Sequence, residues 1–141
     1  MQTIKQYFWS FLAVTVAILL CVLPFPDFPK MNKVPLMDKW VHFVMFGGVA
    51  CAVWLDKARL EKRTSQARVA SGTALLACFF PAVVLPVLLG GVLELVQAYV
   101  TTYRSGDWFD FLADSIGVLL AIPLGLYVIR PFVWFRVKRA V

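Results

Sequence analysis

The sequence predicts an all-α membrane protein with four transmembrane helices and both termini in the cytoplasm. Two observations carry that reading. Hydrophobic residues make up 61% of the 141-residue chain against 16% charged, with a mean hydropathy of +0.79, and the apolar residues fall into four long runs. A soluble domain of this length needs far more polar surface. The net charge of +6 and pI near 9.5 do not indicate nucleic acid, because the basic residues flank apolar runs instead of alternating with aromatics on a polar face.

The chain, 1–141, reads as a single membrane domain with spans at about 5–23, 38–55, 70–102 and 108–129. The first run, Tyr7 to Leu23, follows Lys5 and ends at Pro24-Phe25-Pro26 with no small-x-small cleavage site, so it is expected to remain as an uncleaved helix. Pro24, Pro26, Pro29 and Pro35 exclude a regular helix from the link that follows. The second span, Asp38 to Leu55, carries Trp40 and Trp54 near its ends, where indole rings favour the headgroup level. The third run, Val69 to Val100, would reach roughly 48 Å as a helix, against a hydrocarbon core of about 30 Å. It is expected to be long and kinked near Pro81 and Pro86, a re-entrant first half being the alternative. The fourth span starts near Trp108 and ends before Arg130. Cys21, Cys51 and Cys78 lie inside apolar runs without CxxC spacing and read as packing or lipid-facing residues.

Charge counting sets the orientation. One side receives Lys5, the link from Lys57 to Arg68 and the C-terminal tail, ten basic residues, and the other receives Lys30, Lys33, Lys39 and Arg104. The richer side is cytoplasmic by the positive-inside tendency. Six of the eight acids, Asp27, Asp38, Glu94, Asp107, Asp110 and Asp114, then fall on the outer side.

Charged groups within or beside apolar spans must pair, face a wet cavity or bind something, since a lone charge facing lipid costs a few kcal/mol. Asp38 and His42 share a helix face by i, i+4 spacing, Glu94 and Gln97 by i, i+3, and Asp107, Asp110 and Asp114 by steps of three and four. One outward-facing polar cleft satisfies all three faces. Plainer roles stand beside that reading: Asp38 and Asp107 as helix N-caps, Arg104 as the partner of a nearby Asp, His42 as a packed residue donating to Asp38, and Glu94 or Asp114 as a helix-helix hydrogen bond. No GxSxG, P-loop, dinucleotide-binding glycine pattern or reactive cysteine context is present, which argues against a serine or thiol nucleophile.

The linked series of Asp38-Lys39-Trp40-Val41-His42-Phe43 opening one span, Glu94-Leu95-Val96-Gln97 ending another, then Arg104, Asp107 and Asp110, and Gly117 in the last span resembles the VanZ-like family of small membrane proteins. The likeness covers about Asp38 to Gly125. It departs at Asp114, where Asn is expected, and at Ala121, where a smaller residue, often Gly, is usual. The family's name-giving member is associated with resistance to teicoplanin, which implies a role at the cell envelope. The residues it points to are Asp38, His42, Glu94, Gln97, Arg104, Asp107 and Asp110, and the extra charge of Asp114 weakens any anion-binding role.

Two functions remain open. One is a module that binds an envelope lipid, a wall precursor or a glycopeptide through Asp38, Gln97, Arg104, Asp107, Asp110 and Asp114. The other is a membrane-embedded hydrolase or transferase acting on a phosphorylated lipid headgroup, with Glu94 and His42 as acid and base and Arg104 as phosphate clamp. A divalent cation on Asp110, Asp114 and Glu94 would suit oxygen ligands of this kind.

Overall fold

A computed structural model describes residues 5–23, 36–63, 79–102 and 106–138. The described residues form helices throughout: α1 (Phe8–Val22), α2 (Met37–Arg63), α3 (Leu85–Tyr99), α4 (Trp108–Leu124) and α5 (Arg130–Lys138). A π-helical turn at Phe80–Val84 leads into α3 and another at Gly125–Ile129 joins α4 to α5. Met37–Lys62, Phe80–Tyr99 and Trp108–Phe135 are each long and apolar enough to cross a bilayer, and α1 is a shorter apolar helix of 15 residues. Four helices of this kind make up a multi-pass membrane protein. Two helices continue past the expected limits of their spans: α2 runs beyond Leu55 to Arg63, and the last span continues through Arg130.

Side-chain hydrogen bonds fix how the helices run. Asp56 Oδ2 on α2 accepts from the backbone N–H and the hydroxyl of Ser10, each at 2.8 Å. Ser10 lies in the first turn of α1, whose N–H groups have no acceptor within their own helix. At the opposite end of α1, Gln97 Nε2 on α3 donates to the carbonyl of Cys21 at 3.0 Å, one of the last-turn carbonyls that a helix cannot satisfy by itself. Both ends of the short α1 are thus held by side chains from neighbours. The same bonds set α1 antiparallel to α2 and parallel to α3. Lys39 of α2 meets Asp107 and Asp110 at the start of α4, and Glu61 meets Arg130 at 3.0 Å beyond its end, so α2 and α4 are parallel. The start of α1 and the last helix therefore share one end of the bundle.

The helix faces are sorted by lipid solubility in an inverted sense. On α3, Pro86, Gly90, Leu93, Glu94 and Gln97 are buried, whereas Leu85, Leu88, Val92, Leu95 and Tyr99 are exposed. Polar groups inside and apolar groups outside suit hydrocarbon as the solvent. The core holds Cys21, Phe46, Ala50, Val83, Leu93, Val118 and Ala121. The most extensive packing is α2 on α4, and it depends on Gly117: a Cβ there would overlap the carbonyl oxygen of Phe43. Small residues at a crossing let backbones approach in this way.

The prolines sit where the helices are irregular. Pro81 lies within the first π turn, Pro86 at the start of α3, and Pro123 two residues before the second π turn. A proline lacks the N–H that would continue the ladder, and a widened turn is one way to absorb the loss. Residues 70–78 of the third span, with Cys78, lie outside the described residues. Trp40 is 58% exposed. Trp54 is 2% exposed and packs where Gly125 leaves no side chain in the way. The slot on the neighbouring helix, not the interface, sets its position.

Candidate functional site

Three helix ends meet at the end of the bundle away from Ser10 and Asp56. The first turns of α2 bring Asp38, Lys39 and His42, the last turns of α3 bring Glu94 and Gln97, and α4 brings Asp107 at its N-cap, then Asp110 and Asp114. Lys39 and His42 share a face by their i, i+3 spacing, and Asp110 and Asp114 by i, i+4. Because α2 and α4 are parallel, both rows run into the bundle from the same end.

The upper layer is an ion-pair network. Lys39 Nζ lies 2.7 Å from Asp107 Oδ2 and 2.8 Å from Asp110 Oδ1. Asp107 Oδ1 accepts from the Phe109 N–H at 2.9 Å, the bond of an N-cap. The Asp107 N–H donates to Glu94 Oε2 at 2.8 Å, tying α3 to the start of α4. The Lys39 ammonium, then the Phe109 N–H, hold the Asp107 carboxyl below its ordinary value of 3.8. A carboxyl whose folded value is depressed adds stability above its unfolded value and loses it as pH falls through the folded one. Lys39→Met is therefore expected to melt at a lower temperature at pH 7, and to show a shallower decline below about pH 4. Thermal melts in detergent across that range measure both effects.

The lower layer is drier. His42 is 2% exposed, Asp110 3%, Asp114 1% and Glu94 8%. His42 Nδ1 lies 3.0 Å from Asp114 Oδ1 and 3.7 Å from Glu94 Oε1. Glu94 Oε1 and Asp114 Oδ2 are buried and accept no hydrogen bond. Buried polar atoms in folded proteins nearly always have a partner, so two orphans on adjacent carboxylates mark this layer as a place where something further binds or a proton is held. The expected cleft is here a buried cluster beneath a rim formed by exposed Asp38, half-buried Lys39 and half-buried Asp107.

The VanZ/LLP1 family model matches residues 2–134. The chain belongs to this family. No curated protein and no solved structure matches it.

In this VanZ/LLP1 protein the structure brings together six of the residues expected from sequence: Asp38, His42, Glu94, Asp107, Asp110 and Asp114. Gln97 turns instead to the carbonyl of Cys21, where it fastens α1. Arg104 lies outside the described residues. Asp107 is the N-cap that its turn-like surroundings suggested, whereas Asp38 sits in the first helical turn of α2. Glu94, Asp110 and Asp114, expected as one cation set, are divided between two groups that share His42: one with Asp38 and Asp110, the other with Glu94 and Asp114. Sequence reasoning passed over Lys39, which is the cation of the upper layer; its position three residues before His42 was the available signal. Among the described residues the cluster holds five carboxylates against Lys39 and His42. That balance favours a cationic ligand or a metal ion over a bare anion.

Proposed function

We propose that this cluster is the ligand site of the protein and faces outward from the cytoplasmic membrane, where it binds the headgroup of an envelope lipid or lipid-linked wall precursor and so alters glycopeptide susceptibility of the teicoplanin type. The observation that carries the reading is the pair of buried, unpartnered carboxylate oxygens on Glu94 and Asp114, set beneath a charged rim at one end of the bundle. The outward orientation is supported by the ten-to-four division of basic residues, and the link to the envelope by family membership.

A second reading has its own support. An imidazole 3.0 Å from one carboxylate, with a second carboxylate at 3.7 Å, is within reach of acid-base work. It makes the protein a hydrolase or transferase acting on a phosphorylated lipid headgroup, with Glu94 and His42 moving the proton and Arg104 holding the phosphate.

One comparison tests both. Envelope lipids and wall precursors of cells producing wild type and Glu94→Gln at matched levels are measured by mass spectrometry, together with the lipids that copurify with each protein and the teicoplanin susceptibility of each strain. Gln can still accept from the Asp107 N–H, so the fold is expected to persist. A lipid held by wild type and lost or weakened in Glu94→Gln, with a matching change in susceptibility, supports the binding site. A species made or consumed only by wild type identifies an enzyme. The absence of any lipid, chemical or susceptibility difference removes both readings.

A further inference from the structure

Three side chains from three helices meet in the lower layer with their polar atoms unevenly used. His42 Nδ1 approaches Asp114 Oδ1 at 3.0 Å and Glu94 Oε1 at 3.7 Å. One ligand atom from each of the three lies within 4.8 Å of the others, while Glu94 Oε1 and Asp114 Oδ2 accept nothing. Two buried carboxylates beside a single imidazole have at most one positive charge to balance them, and burying such charges without full compensation is costly. We propose that His42, Glu94 and Asp114 bind a zinc-class divalent cation.

The donor set and spacing fit. One imidazole nitrogen and two carboxylate oxygens are ligands that zinc accepts. Bonds of about 2.0–2.1 Å in a tetrahedron place ligand atoms roughly 3.3 Å apart, between the two separations from His42 of 3.0 and 3.7 Å, with the third pair within 4.8 Å. Three protein ligands leave a fourth position open. Gly90 on α3 lets that helix approach the Asp114 carboxylate closely, since an added Cβ would stand 2.9 Å from Asp114 Oδ2. The other group, Asp38, His42 and Asp110, is a poorer candidate, because Lys39 Nζ already engages Asp110 Oδ1 at 2.8 Å and Asp38 is exposed.

The ion also answers the charge problem of the site. Five carboxylates repel a phosphate, whereas a bound divalent cation offsets the charges of Glu94 and Asp114 and offers an anion a coordination position. This deepens the ligand-site reading and rests on it: the open position is where the anionic part of a lipid headgroup would reach the metal.

The test uses the purified full chain in detergent, stripped with chelator and titrated with zinc alone by calorimetry, with elemental analysis of the washed protein. One equivalent is expected, weakened at least about tenfold in Asp114→Asn and in His42→Gln and retained in Asp38→Asn. Folding of each variant is checked by circular dichroism and size exclusion. Cobalt substitution supplies a second readout, independent of those variants: intense visible bands of a four-coordinate ion are expected in wild type. Folded wild type that takes up no zinc, zinc uptake unchanged in folded Asp114→Asn and His42→Gln, or only the weak bands of six-coordinate cobalt would overturn the proposal. Zinc binding without any lipid or susceptibility effect in the Glu94→Gln comparison keeps the metal and removes the lipid; the reverse result keeps the lipid and removes the metal.

Discussion

Gly117→Ala is expected to destabilise the protein by about 1–3 kcal/mol or more, while Gly48→Ala leaves it unchanged or stabilises it by up to about 1 kcal/mol. The opposite signs come from where each glycine points. A Cβ on Gly117 overlaps the carbonyl oxygen of Phe43 and stands 3.1 Å from the backbone nitrogen of Gly47. These are main-chain atoms of α2, which cannot rotate away as a side-chain tip could, so α2 and α4 must separate. Their contact is the most extensive in the fold, and the lower layer of the site is built across it. At Gly48 an added Cβ meets nothing within 4 Å, and the gain in helix propensity acts alone. Thermal unfolding of both variants in one detergent decides the matter. A Gly117→Ala midpoint equal to wild type would mean that the helices do not cross at that residue.

The reason the crossing sits there could be read only in part from sequence. Composition and run length give four apolar helices, because the length and hydropathy that a bilayer demands are local properties of a segment. The convergence of Asp38, His42, Glu94, Asp107, Asp110 and Asp114 was also legible, since charges at the edge of apolar spans have few alternatives to meeting one another. What one helix cannot encode is its neighbour. Gln97 shares a face with Glu94, yet it is claimed by a carbonyl of α1. Lys39 looks like an ordinary flanking cation until α4 supplies Asp107 and Asp110. Asp56 stands beside the basic link that begins at Lys57, but it is 2% exposed and holds the first turn of α1. Trp54 has the sequence context of an interfacial ring, and only the missing side chain of Gly125, far along the chain, draws it inside. Each of these depends on which helices pack and in what register, and periodicity within one helix is silent on both.

His42→Leu, measured in chelator so that no metal contributes, is expected to cost about 3–5 kcal/mol, as removal of one member of a buried charged set does. The loss does not come from the imidazole's own contacts alone. With His42 gone, Asp114 and Glu94 face each other across a dry layer, and Asp114, at 1% exposure, has no route to water. The second change that should relieve this is Asp114→Asn, the residue the family resemblance leads one to expect at that position. An amide removes the charge at nearly constant volume and can offer an N–H to Glu94. The double variant His42→Leu/Asp114→Asn is therefore expected to regain at least half of what His42→Leu loses, and the two changes to be non-additive by more than about 1 kcal/mol. Additive losses in such a cycle would mean that His42 and Asp114 are not coupled across the 3.0 Å contact. Coupling of the expected sign would make the imidazole the group that keeps two buried acids at one site.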